Sequence, residues 1–336
     1  MFRTMSGRSQ PGGARVCGVG AYRPERIVFN KEICEPIGST DEWIQQRSGI
    51  VSRRFAGPDE TIVSMGAAAG RSALAHAGVA PDRVDAVLVA SMSNLQQSPA
   101  AAPELAHRIG ATSAAAFDVS AACAGFCYAL AVADSLVRAG TSAYVLVIGT
   151  ERMTDIIDPL DRGTAFLFGD GAGAMLVGPA ETREIGPVVW GADGSKAGLI
   201  AHNDSWLARR DNPGTWPTMR MAGQEVFRWA LQEMPPVARE AVVEAGLSMA
   251  DLAAFVPHQA NMRIIDRMAQ ALGLPPSVVI ARDIETAGNT SAASIPLALD
   301  TLLADPDTAP RGNALLTGFG AGLSHAAMVI TIPPPA

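Results

Sequence analysis

Val89-Ala-Ser-Met-Ser-Asn94 and Val256-Pro-His-Gln-Ala-Asn261 decide how this chain is read. Each closes a short apolar run, and the second lies 167 residues after the first (94 to 261), about half of the 336-residue length. The same spacing carries Cys123, in Ser120-Ala-Ala-Cys-Ala-Gly125, to Thr290, in Gly288-Asn-Thr-Ser-Ala-Ala293. Each of these small-residue turns opens an apolar helical pattern, then a strand and a glycine hairpin. The hairpins are Phe168-Gly-Asp-Gly-Ala-Gly173 and Phe319-Gly-Ala-Gly322. Self-similarity at one fixed spacing marks a duplicated unit.

Outward from these segments, residues 86–90, 144–148 and 314–317 are apolar runs of strand length. Residues 61–77, 122–139, 226–245 and 260–272 carry helical patterns. Strands alternating with helices predict an α/β protein with covered sheets. The expected organisation is an arm over 1–13, one half over 14–180 and a similar half over 181–336.

Composition excludes several classes. The formal net charge is −7, against a general nucleic-acid binder, which usually shows a basic surface. The run 119–133 is bounded by Asp118 and Asp134 and is too short to span a bilayer, so a buried core helix is expected there. The N-terminal stretch has no apolar segment of signal-peptide type, and a cytoplasmic location is expected. Four cysteines in a chain this long make no disulfide framework. Cys123 and Cys127 lie four apart, but no second pair follows at ligand spacing, so no metal is expected. Gly169-Asp-Gly-Ala-Gly173 leads into a strand-like run and Gly18-Val-Gly20 into Tyr-Arg-Pro. Neither opens a helix, as a phosphate-binding fingerprint requires, and both are read as tight turns where backbones approach.

Cys123 is the leading nucleophile candidate. It opens a helix after small residues, where backbone N–H groups and the helix dipole favour a thiolate, so a lowered pKa is expected. Taken alone, it is equally readable as a buried, inert thiol. Cys127, one turn deeper, reads as core. His258 closes an expected strand, where α/β proteins gather ligand-binding groups. Asn289 opens the helix that the repeat matches to the Cys123 helix, and on its own reads equally as a turn or cap.

Together, Ser120-Ala-Ala-Cys-Ala-Gly-Phe126, Val256-Pro-His-Gln-Ala-Asn261 and Gly288-Asn-Thr-Ser-Ala-Ala-Ser294 resemble the initiating ketosynthases, β-ketoacyl-[acyl-carrier-protein] synthase III. Ser39-Thr-Asp-Glu-Trp-Ile44, Asp161-Arg-Gly163 and the two glycine segments match in the same order, so the resemblance runs from about residue 14 to 333. It implies the thiolase fold, duplicated halves in a five-layered αβαβα arrangement, and a homodimer. It also implies a decarboxylative condensation. Cys123 takes an acyl group from acyl-CoA. His258 and Asn289 hold the enolate of malonyl-acyl carrier protein, and the backbone N–H groups of Cys123 and Ala321 hold the tetrahedral oxyanion. No cofactor is implied, because acyl-CoA and malonyl-acyl carrier protein are substrates. Ala321 stands where many relatives have glycine, which a backbone donor tolerates.

The resemblance further implies that coenzyme A lies against Trp43 and Arg162, with Arg47, Gly223 and Asn261 along its path. Gln224 replaces a common asparagine. Arg228, Arg263 and Arg267 are implied as the basic surface for an acidic acyl carrier protein. Met92 and Ser98 fall in the segment that lines the acyl pocket across the dimer interface. Ser98 stands where acetyl-preferring relatives carry phenylalanine. Other thiolase-fold chemistry is disfavoured: a degradative thiolase needs a second cysteine near the C-terminus, and the last here is Cys127. A cysteine peptidase would place its cysteine in a different surround, and a non-catalytic partner subunit would lose the nucleophile. Fatty-acid initiation and the priming of an aromatic polyketide stay open at this point.

Overall fold

The computed structural model describes residues 11–211 and 216–335. Residues 1–10 of the expected arm lie outside the described residues. Gly13, placed in that arm by the sequence, instead opens a strand and pairs with Ala180.

The strands form two five-stranded sheets. The first contains β1 (Gly13–Tyr22), β2 (Ala86–Ala90), β3 (Ala115–Val119), β4 (Val145–Glu151) and β5 (Gly171–Ala180), in the order β1-β5-β4-β2-β3. The second contains β6 (Val189–Ala192), β7 (Leu252–Pro257), β8 (Val279–Ile280), β9 (Asn313–Gly320) and β10 (Ser324–Thr331), in the order β6-β10-β9-β7-β8. The orders are the same when the halves are superposed strand for strand. In both, three adjacent strands (β4-β2-β3 and β9-β7-β8) run parallel, and the other two (β5 and β1, β10 and β6) join them antiparallel. Two short antiparallel pairs, Arg26–Phe29 with Ser52–Phe55 and Ile200–His202 with Met219–Met221, form separate two-stranded sheets.

Seven helices complete the part of the fold that builds the site: α1 (Asp41–Ser48), α2 (Ile62–Ala77), α3 (Ala101–Ile109), α4 (Gly125–Arg138), α5 (Gly223–Glu244), α6 (Met262–Leu272) and α7 (Ser294–Leu303). The layers follow from the two-residue period of the strands. Along β4, Leu146 and Ile148 face Met65 of α2 and Leu105 of α3. Val145 and Val147 face the opposite side, with Phe126 and Leu130 of α4 and Ile295 and Leu299 of α7. Val256 and Leu316 of the second sheet close that central layer. On the far side, Phe255 and Leu315 pack against Trp229 and Met234 of α5 and Met268 of α6. The result is five layers, with α4 and α7 sandwiched between the sheets. Phe126 is fully buried there, and its truncation to alanine would cost about 3–5 kcal/mol.

Gly18 and Gly20 prove to lie inside β1 rather than in a turn. A Cβ at Gly20 would meet the Ala73 amide nitrogen at 2.2 Å and the Ala69 carbonyl oxygen at 2.4 Å. Close approach of α2 to the strand, not a turn, is what requires glycine.

The repeat is offset differently at its two landmarks. Pro257 ends β7 as Ala90 ends β2, which is the spacing of 167 read from the sequence. The turns ahead of α4 and α7 are spaced by 169 instead (122 to 291). Each is a single 3₁₀ turn, Ala122–Ala124 and Ser291–Ala293, and each opens on a non-glycine residue with positive φ, 45° at Ala122 and 47° at Ser291. The counterpart of Cys123 is therefore Ala292, not Thr290. The second half has two more residues between its strand and its turn, and a constant sequence offset passes over them.

Candidate active site

Cys123 sits in the 3₁₀ turn at the strained Ala122, and the α-helix proper begins two residues later at Gly125. It is 9% exposed. Burial pushes its thiol up to about 12, with the neighbouring Glu151 carboxylate adding to the rise. This overturns the expected lowered pKa. Loss of water around the sulfur outweighs what the helix dipole and the local N–H groups return. Cys127 is fully buried in the central layer, as expected of a core residue.

His258 follows the last residue of β7, and its backbone N–H donates to the Thr317 carbonyl on β9 at 2.7 Å. Its Nδ1 lies 2.7 Å from Ser294 Oγ, and the ring stands edge-on to Phe319 with centroids 5.5 Å apart. Burial lowers its pKa to about 3, so the imidazole is neutral. Asn289 does not open a helix, as the sequence suggested. It is extended, bridging Phe168, with its N–H on the Leu167 carbonyl at 2.8 Å and its carbonyl accepting from Gly169 at 3.1 Å. Its side-chain Oδ1 accepts the Ser291 N–H at 2.8 Å, which leaves the amide N–H groups to donate elsewhere.

Gly320, the last residue of β9, lies against the nucleophile turn. A Cβ there would come within 2.7 Å of the Cys123 amide nitrogen, so glycine lets the end of β9 pack directly on the nucleophile turn. Cys123, His258, Asn289 and Ala321 all line one cavity of about 1060 Å³. The first three are buried, whereas Arg47 and Arg162 on the same cavity are exposed, so the cavity runs inward from the surface to the cysteine.

At the outer end, Thr40 caps α1 by accepting the Trp43 N–H. Trp43 stands edge-on to Phe166, with centroids 5.1 Å apart. The guanidinium of Arg162 is 4.9 Å from the Trp43 ring centroid, and that of Arg47 is 5.0 Å from it. At those distances cation and ring are in stacking contact. A flat base entering between Trp43 and Arg162 has to displace the arginine. Asn261 caps α6 and donates its side-chain amide to the Arg47 carbonyl at 2.9 Å, joining the two halves at the rim. Gly223, Gln224 and Met92 line the cavity.

Of the arginines singled out for a protein partner, Arg228 and Arg263 line the cavity mouth, and Arg263 lies 5.4 Å over the Phe227 ring. Arg267 does not line it and turns toward Gln270 at 3.4 Å. Ser98 is exposed in the single chain and does not line the cavity. Sequence reasoning passed over Ser294, Ser291 and Glu151. The two serines stood inside quoted motifs, but a serine there carries no signal until its partner is known.

The sequence pattern of 3-oxoacyl-[acyl-carrier-protein (ACP)] synthase III matches residues 117–194, and that of its C-terminal region matches residues 242–332. The chain is 53% identical, over 96% of its length and 95% of the other's, to β-ketoacyl-[acyl-carrier-protein] synthase III of Streptomyces lividans. The chain belongs to the 3-oxoacyl-[acyl-carrier-protein] synthase III family. Solved structures agree. The priming β-ketosynthase of the R1128 polyketide pathway superposes with a TM-score of 0.95 at 52% identity, covering 97% of this chain and 98% of that one. The synthase III of Pseudomonas aeruginosa PAO1 superposes with a TM-score of 0.89 at 37% identity, covering 96% and 99%. The thiolase fold expected from the resemblance is thereby shown. As a synthase III, the protein is an acyltransferase that initiates fatty-acid or polyketide chains.

Proposed function

We propose that Cys123, His258 and Asn289 carry out a decarboxylative condensation of an acyl-CoA starter with malonyl-acyl carrier protein. The observation that carries this reading is their convergence, with Ala321, on the buried end of one cavity. Cys123 attacks the thioester and keeps the acyl group while coenzyme A leaves. Malonyl-carrier protein then enters and loses CO₂, leaving an enolate. The Gln259 N–H can only donate to Ser294 Oγ, at 3.4 Å, so His258 Nδ1, at 2.7 Å, is the acceptor at hand for the serine's hydroxyl proton. The ring proton then sits on Nε2, a donor for the enolate oxygen. Asn289 Nδ2 is the second donor. The carbanion attacks the acyl carbonyl, whose oxyanion meets the N–H groups of Cys123 and Ala321. These groups supply each step, and the reading includes no cofactor.

Trp43 and Arg162 receive the adenine, with Arg47 toward a phosphate and Gly223 and Asn261 along the pantetheine. Arg228, Arg263 and Arg267 face the acidic carrier protein, a local patch on a chain of net charge −7. A homodimer is supported by β3, an edge strand of the first sheet on which Phe117 is 42% exposed. Leu95, in the 91–99 loop, is exposed to the same degree. Across such a dimer, Ser98 would reach the partner's acyl pocket. A cytoplasmic location accords with the described residues, where no helix is long and apolar enough to cross a membrane.

Priming of an aromatic polyketide is the second reading, favoured by the likeness to the R1128 priming ketosynthase. The test of the first is a condensation assay with malonyl-carrier protein, run with the natural enzyme and with Cys123→Ala. β-Ketoacyl product only with the natural enzyme supports it; product with both sinks it.

A further inference from the structure

Glu151, the last residue of β4, is fully buried, and the mechanism above leaves it unused. Its Oε2 accepts the Ser93 hydroxyl at 2.5 Å, the Ser91 hydroxyl at 3.1 Å and the Met92 and Ser93 N–H groups at 3.1 Å. Its Oε1 accepts the Met92 N–H at 3.2 Å and, from the other half, the Ala292 N–H at 3.4 Å. Every one of these partners donates, which suits a carboxylate. Among the described residues no cation pairs with it, and Arg152, next in the chain, turns to Asp155 at 3.2 Å. A charge buried without a counter-charge is expensive, and a residue that only filled space there would be apolar.

What the donors have in common supplies the reason. All but Ala292 belong to one turn, Ser91–Ser93, which follows β2 directly. The Ser93 hydroxyl also accepts the Arg152 N–H at 2.8 Å, fastening the turn a second time to the end of β4. Beyond it the segment runs out to the surface, with residues 95–99 exposed. Within the turn, Met92 is half-buried, packs against the cluster that holds Phe166 and Phe168, and lines the same cavity as Cys123. The remaining donor, Ala292, lies in the 3₁₀ turn that mirrors the nucleophile turn. Gly149 and Glu151 share a face of β4, and a Cβ at Gly149 would meet the Ala292 carbonyl oxygen at 2.4 Å, so that turn is packed hard against the strand end. The carboxylate therefore joins a wall of the cavity to a fixed part of the opposite half.

We infer that Glu151 is a positioning residue for starter choice: it holds the Ser91–Ser93 turn so that Met92 forms a fixed wall of the cavity that Cys123 lines. This rests on the proposed reading of that cavity as the acyl pocket. The Met92 N–H lies within hydrogen-bond distance of both carboxylate oxygens. In Glu151→Gln, whichever oxygen becomes the amide nitrogen therefore faces that N–H donor to donor. A hydroxyl such as that of Ser91 or Ser93 can turn to accept, but a backbone N–H cannot. The turn has to move off the strand end, and Met92 moves with it. Chain-length discrimination, which depends on methylenes meeting a fixed apolar wall, then falls.

The experiment loads the full chain from an equimolar mixture of acetyl-, butyryl- and hexanoyl-CoA, samples it before loading is complete and reads the acyl-enzymes by intact mass. Competing starters share one enzyme, so a variant that is merely damaged loads less of each and keeps their ratio. Glu151→Gln should bring the butyryl-to-acetyl ratio toward one by about fivefold or more, part of what one packed methylene is worth. Met92→Ala should shift the ratio too. Adding Glu151→Gln to Met92→Ala should change it by less than about twofold further, because residues that act through one another are not additive. The natural ratio in Glu151→Gln, or a full further shift in the double variant, would overturn the inference. If Glu151→Gln fails to fold, Ser93→Ala removes the shortest contact and keeps the carboxylate. It should move the ratio in the same direction by about twofold, the scale of one lost hydrogen bond, and an unchanged ratio would overturn the inference equally. The natural ratio in Met92→Ala would refute the acyl-pocket reading itself, which keeps the two failures apart.

Discussion

His258 Nδ1 and Ser294 Oγ lie 2.7 Å apart, and Ser294 is the first residue of α7. The helix that mirrors the nucleophile helix thus sets a hydroxyl against the imidazole of the histidine in its own half. Ser294→Ala should leave acyl loading intact and slow condensation by up to about tenfold, the scale of a hydrogen bond worth about 0.5–1.5 kcal/mol. Half-reaction rates measured separately would check this. A loading defect of equal size would place Ser294 in the fold rather than in the chemistry.

The two enolate donors should split the half-reactions more sharply. His258→Ala and Asn289→Ala are expected to acquire the acyl group and to lose condensation by about 10²–10³-fold, as removal of an oxyanion donor typically does. Intact mass reads the first step and β-ketoacyl product the second. Condensation at the natural rate in either variant would remove it from the enolate.

Burial of neutral His258 also predicts how stability depends on pH. Its folded pKa, about 3, lies below the ordinary 6.5. Between those values the unfolded chain binds a proton that the folded one does not. This group therefore costs nothing above pH 6.5 and destabilises by about 1.4 kcal/mol per pH unit as pH falls through that window. Urea unfolding at pH 7.5 and 4.5 should show a steeper loss for the natural protein than for His258→Ala. Equal losses would mean the imidazole is charged when folded.

Arg263 lies exposed at the cavity mouth, 5.4 Å over Phe227. Arg263→Glu should raise KM for malonyl-carrier protein and leave acyl-CoA loading nearly intact. The effect should shrink with added salt, because exposed charges are screened over about 8–10 Å. Steady-state rates at two ionic strengths test it, and an equal loss in both half-reactions would point to a coenzyme A contact.

On the proposed function, starter choice is set by Met92 and Ser98. Met92 lines the cavity, and the N–H groups of Met92 and Ser93 hold its segment on the Glu151 carboxylate. Ser98 would contribute only across the proposed dimer, where serine would leave most of a phenyl ring's volume open. Straight or branched chains of about four to six carbons should be preferred over acetyl by more than about tenfold, at roughly 1–3 kcal/mol per well-packed methylene. Comparing kcat/KM for acetyl-, butyryl-, isobutyryl- and hexanoyl-CoA, in the natural enzyme and in Ser98→Phe, decides it. Preference for acetyl, or no change of ranking with phenylalanine, would contradict the pocket depth.

The duplication was legible because burial writes itself into apolar runs such as 86–90 and 314–317, whose residues are covered on both faces of a sheet. Cys123 stood out in a small-residue turn and His258 at the end of an apolar run, and both line one cavity with Asn289. Three things were not legible. The offset of the turns changed by two residues, which only the paired φ values of Ala122 and Ser291 reveal. The thiol of Cys123 was expected to ionise easily, because a helix N-terminus is visible in sequence whereas desolvation is not. Asn289 was placed at a helix start, yet its backbone is claimed by Leu167 and Gly169, more than a hundred residues earlier. Such long-range partners leave no local trace.

The central claim is that Cys123 carries the acyl group. The direct measurement is intact-mass spectrometry with peptide mapping after incubation with butyryl-CoA, for the natural enzyme and for Cys123→Ser. The account predicts one butyryl group on Cys123 and none on the serine variant, whose hydroxyl has no thiol's nucleophilicity. Full loading of Cys123→Ser, or a butyryl group on Cys127, would contradict it.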